Sequence, residues 1–76
     1  MVTDYHINVF HSEADGGWIA HIPDLKHCSA FGETPEIALH EVLIAKETWI
    51  QTAQENGIPV PEAKYRPAIY QVASIH

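Results

Sequence analysis

Six histidines, one cysteine and ten carboxylates stand in a chain of 76 residues, and these types invite metal or nucleophilic chemistry. Neutral imidazole is a common metal ligand, and the alternation of the first two extended segments puts His6 and His21 within reach across a hairpin. A zinc helix would carry two histidines four residues apart, yet the helical stretch has only His40. Cys28 has no Cys-x-x-Cys companion. These histidines read as surface polar residues. Cys28 beside His27 would make a nucleophile and base only if both faced one way, and neighbours on a strand point to opposite faces. A small buried core thiol is the expectation for Cys28. Carboxylate or two-metal hydrolysis needs acids that converge from different elements. Asp4, Asp15, Asp24, Glu33 and Glu36 instead fall near strand and helix ends, where turns and caps account for them. FGETPE (residues 31–36) pairs a single glycine with two acids and is no phosphate cradle. No catalytic residue, cofactor or metal site is expected, and the chain reads as a non-enzyme.

The elements that hold these residues follow from periodicity. In TDYHINVFH (residues 3–11), Tyr5, Ile7 and Val9 point one way, and Asp4, His6, Asn8 and Phe10 the other, the pattern of a half-buried strand. GWIAHIP (residues 17–23) alternates again, with Trp18, Ala20 and Ile22 opposed to Ile19 and His21. The two larger apolar sets should share a face, which assigns Trp18 to the core. Between them Asp15-Gly16 is a hairpin-turn signal, because both residues can take positive φ. Pro23 lacks a ladder donor and ends the second strand. CSAFGE (residues 28–33) reads as a short third strand.

Thr34-Pro35-Glu36 opens a helix, with threonine as cap, proline at the first helical position and glutamate at the positive end of the dipole. The helix is expected to reach about Asn56 and to stop at Gly57. Its broad apolar face comprises Ala38, Leu39, Val42, Leu43, Trp49, Ile50 and Ala53, with Ile37 and Ile44 towards the edge. After the connector IPVPEAKYRP, the tail AIYQVASIH (residues 68–76) reads as a fourth strand. The order βββαβ predicts an α+β two-layer sandwich, one helix packed on one face of a small antiparallel sheet, in a single domain.

The charge narrows the partners. The formal net charge is −6, with Lys26, Lys46, Lys64 and Arg66 as the permanent cations. Such a chain supplies no basic surface for phosphates, so direct nucleic-acid binding is not expected. A basic protein partner is electrostatically easier. The N-terminal residues lack the basic and apolar regions of a signal peptide, and no segment approaches a membrane span. A cytoplasmic protein with no membrane contact is expected. A domain this small buries only about 60% of its unfolded surface, and with one cysteine it cannot add an intramolecular disulfide. A homo-oligomer, dimer or tetramer, is the expectation. The helix covers one sheet face, which leaves Phe10, Ile19 and His21 on the other. These three, with Asp15 and Asp24 at the sheet's ends, are the candidate protein-interface residues.

The order YHINVF, EADGGWIAHIPDL, a cysteine, GETPE with Ala38, and later NGIPVP after a helix containing Trp49 resembles the HicB-like antitoxin family. The likeness spans residues 4–61 and rests on order and spacing rather than on any one motif. It implies a partial RNase H-like domain that neutralises a small basic mRNA-cleaving toxin, HicA, by covering its active or RNA-binding surface. The family often adds a C-terminal DNA-binding module, which is not expected in this chain. Two positions depart from the family pattern: Lys26-His27 stands where a small residue or glycine precedes the cysteine, and Ile37 where a second acid follows Glu36. The alternatives are an orphan interaction module without a toxin and a residual metal-dependent nuclease using Asp24 or Glu36.

Overall fold

A computed structural model of the chain describes residues 5–65. Three strands, β1 (Asn8–Ser12), β2 (Gly17–His21) and β3 (Ser29–Gly32), precede one helix, α1 (Pro35–Glu55). The sheet is antiparallel in the order β1-β2-β3, and α1 packs on one of its faces. The expected α+β arrangement is therefore present. The expected fourth strand falls on residues 68–76, outside the described residues.

The ladder pairs Val9 with Ala20, Phe10 with Ile19 and His11 with Trp18. On the other side of β2, Trp18 pairs with Gly32, Ile19 with Phe31 and Ala20 with Ala30. Partners across a ladder share a face, so the larger apolar sets of the hairpin do lie together beneath α1. Tyr5, Ala20, Ile22, Leu25, Cys28, Ala38 and Val42 form the buried core, with Trp18, Trp49 and Ile50 packed against it.

Several local expectations change. Residues 5–7 fall outside β1, which begins at Asn8, although Tyr5 is buried ahead of it. Four residues, Glu13 to Gly16, join Ser12 to Gly17, and of these only Gly16 has positive φ, at 72°. Its amide donates to the Ser12 carbonyl at 3.0 Å, while the Asp15 carboxylate accepts the Ser12 hydroxyl at 2.8 Å. A longer connection thus relieves Asp15 of the left-handed conformation that a two-residue turn requires. Cys28 lies just before β3, its carbonyl accepting from the Ile22 amide at 3.0 Å. Leu39 and Leu43, expected in the core, are each 39% exposed.

Helix-end chemistry follows the sequence. The Thr34 hydroxyl accepts the Ile37 amide at 3.1 Å, and Pro35 begins the helix. At the other end Gly57 takes φ 69°. The Ile58 amide donates to the Ala53 carbonyl at 2.8 Å, and Gly57 to Gln54 at 3.3 Å, the paired bonds of a Schellman stop.

His27 has φ 63°, alone among the described non-glycine residues. A left-handed conformation costs an L-residue about 1–2 kcal/mol, partly offset on glycine substitution by the greater unfolded-state freedom of glycine. His27→Gly is therefore expected to stabilise the fold by about 0.5–1 kcal/mol. A rise in the urea midpoint at unchanged slope checks this, and an unchanged or lower midpoint contradicts it.

Candidate functional site

The sheet face turned away from α1 carries the candidate site. Phe10, Ile19 and Phe31 are cross-strand partners and form one apolar row spanning all three strands. Phe10 is 46% and Phe31 43% exposed, and Ile19 is half-buried. The next row holds Asn8, His21 and Ser29, and the His21 ring meets the Phe10 ring edge-on at 6.2 Å between centroids. Towards the hairpin, Gly17 is buried because the Phe31 ring lies where its side chain would be. No Asp, Glu, Lys or Arg stands on this face within the three strands. A solvent-facing sheet normally carries charge in such positions, so an uncharged aromatic row reads as a contact surface.

Phe10, Ile19 and His21 are thus brought together as expected, and Phe31 joins them. Phe31 follows from the same alternation once β3 is set in register, and its signal in the sequence was an apolar residue three before the helix cap Thr34. Asp15 and Asp24 are elsewhere. Asp15 sits in the hairpin connection. Asp24, in the β2–β3 connection, accepts the Lys64 amide at 3.1 Å and the Tyr65 amide at 3.1 Å. With the Tyr5 hydroxyl donating to the Pro61 carbonyl, these bonds hold the segment after α1 against the sheet's end. Asp24 serves the fold.

Four acids cluster at one end of the sheet. Because Trp18 pairs with Gly32, the end of β3 lies beside the hairpin connection. Glu13, Asp15, Glu33 and Glu36 therefore gather at that end. Lys26 lies in the opposite connection, Lys64 is tied to Asp24 there, and Lys46 acts on Cys28.

The residues that suggested catalysis do not assemble. Among the described residues no group of three or more His, Cys, Asp or Glu is placed to hold a metal. His6 lies 2.7 Å through Nε2 from Asn8 Oδ1 and stacks at a tilt on Tyr65, and it is Asn8 that stands opposite His21. Cys28 is 4% exposed. Burial pushes its thiol above the ordinary value of 9.0, against a smaller pull from the Lys46 charge, so it stays protonated and unreactive near neutral pH. Trp49 donates its indole N–H to the Lys26 carbonyl at 3.0 Å, and Trp18 meets His11 edge-on at 5.2 Å. Both tryptophans pack on the core side.

The chain is similar to UPF0150 protein ssl0259 of Synechocystis sp. The two are 46% identical over 48 residues, 63% of this chain and 66% of that protein. The aligned chain therefore spans just under two thirds of its relative, whose name specifies no activity or partner. No family model and no solved structure matches the chain. Among the described residues, no helix is long and apolar enough to cross a membrane.

Two core groups set an alkaline limit. Burial raises the Tyr5 phenol above its ordinary 10.0, and the negative charge of Asp24 raises it further. For Tyr5 and Cys28 alike the fold favours the neutral form, so their contribution is complete below the unfolded values and is lost as pH rises through the folded ones. Unfolding free energy is expected to fall progressively once pH passes 9.0. Cys28→Ala should remove the earlier part of that fall, and Tyr5→Phe the later part. Urea unfolding across the alkaline range measures it, and a flat profile contradicts it.

Proposed function

We propose that this chain is a HicB-like antitoxin domain that binds a small basic mRNA-cleaving toxin and neutralises it by occluding its active or RNA-binding surface. The observation that carries this reading is the uncharged Phe10–Ile19–Phe31 row on the bare sheet face. An aromatic-rich centre desolvates against a partner and supplies binding energy. The acids Glu13, Asp15 and Glu33 at the hairpin end of the row steer a basic protein into place. The net charge of −6 acts in the same direction. The family in this reading rests on the motif order described above, and its cytoplasmic location rests on the mRNA-cleaving partner it proposes. No cofactor enters this role.

The nuclease alternative requires Asp24 and Glu36 to converge on a metal. They lie at opposite ends of the sheet, and the Asp24 carboxylate already accepts two backbone amides. The deciding experiment is co-expression with the product of the adjacent gene. Rescue of growth and a complex that survives purification are expected. If the neighbour's toxicity persists and no complex forms, the antitoxin reading is overturned and the domain stands as an orphan module.

A further inference from the structure

A second apolar surface lies on the flank of α1, away from the open sheet face. Leu39 and Leu43 are exposed there, one turn apart, and a groove of about 240 Å³ runs beside them between Val9, Pro35, Glu36 and Leu39. Glu36 stands at one end of this flank and Lys46 at the other. The spacing 36, 39, 43, 46 alternates three and four residues, which keeps all four side chains on one seam. Ten positions separate Glu36 from Lys46, roughly 15 Å along the axis, so they cannot pair within one helix. Neither forms a salt bridge among the described residues.

The seam is complementary to itself when reversed. Position 36 mirrors 46 and position 39 mirrors 43 about a point at Glu41. We infer that a second copy of this chain docks on this flank, its α1 antiparallel to the first, about a two-fold axis on the Leu39–Leu43 side, level with residue 41 along the helix. Leu39 then meets Leu43 of the second copy, whose side chain enters the groove at Val9 and Pro35. Glu36 meets Lys46 of the second copy, and the symmetry makes the same pair again. The two acidic chains approach along a strip where each negative end faces a positive one. Two copies joined this way keep both open sheet faces free, and the inference does not depend on the antitoxin reading.

Sedimentation of the full chain with charge-swap variants tests it. The wild type is expected to be dimeric at high micromolar concentration, and Leu43→Glu monomeric with an unchanged helical circular dichroism signal. Because each pair occurs twice, Glu36→Lys or Lys46→Glu alone replaces two attractions by two repulsions and weakens the dimer about tenfold or more. The double variant Glu36→Lys/Lys46→Glu restores it. Glu36→Lys, on the helix surface, keeps the test valid if Lys46→Glu fails to fold. A monomeric wild type, a Leu43→Glu dimer, or a Glu36→Lys dimer as tight as wild type overturns the inference, whether another protein or another surface of this chain is found to account for the flank.

Discussion

Replacing Gly32 by alanine is expected to cost at least about 3 kcal/mol, the largest single-methyl effect in this fold. A Cβ built there would stand 2.2 Å from the Ala38 amide nitrogen and 2.8 Å from the Ala38 Cα and the Ile37 carbonyl carbon. These are backbone atoms of the first turn of α1, so no rotamer change can make room. Either the helix lifts from β3 or the strand end detaches, and in both cases the contact with Ala38 and Val42, each fully buried, is disturbed. A chain of this length has about 4–11 kcal/mol of stability in total, so much of it is at risk. Gly16→Ala is the control, because it separates space from conformation. Nothing lies within 4 Å of a Cβ at Gly16, but its φ is +72°, and the expected cost is about 1 kcal/mol. Urea unfolding of the two variants beside the wild type checks the order. Equal losses would mean that close packing at Gly32 is not what holds α1 to the sheet.

That close approach also explains which parts of the fold could be read from residues alone. Helix boundaries were legible because Thr34, Pro35 and Gly57 act locally, through one hydroxyl, one fixed φ and one positive φ. The two-residue alternation placed Phe10 and Ile19 correctly, since alternation decides faces whatever the strand's length. The depth of burial on α1 was not legible. Leucines and alanines fall within one apolar arc, and periodicity cannot say which line in it touches the sheet. The Gly32–Ala38 contact brings the backbones so near that small side chains must occupy that line, which pushes Leu39 and Leu43 to the flank. The bonding of Asp24 was illegible for a related reason. A carboxylate near a strand end looks available until a segment forty residues later in the chain presents its amides to it. Its bonding depends on tertiary structure, and no short-range signal announces it.

Phe10→Ser and Phe31→Ser are each expected to weaken binding of the proposed toxin partner by about 2 kcal/mol, roughly 30-fold, with proportionate loss of growth rescue. Both rings are nearly half exposed in the free domain, so their removal should change folding stability by no more than about 1 kcal/mol. That difference makes the test specific, because a loss of binding without a loss of stability cannot come from unfolding. The acids beside the row should behave differently. Glu13→Lys with Asp15→Lys should slow association and flatten its salt dependence while leaving dissociation nearly unchanged, as steering charges at a rim do. Titration calorimetry and stopped-flow mixing separate the two effects. If both phenylalanine variants bind like wild type while the rim variant fails, the partner sits on the hairpin end and the row covers something else. If only the phenylalanines matter, apolar desolvation on the open sheet face supplies the affinity, and the negative charge of the chain contributes encounter rate alone.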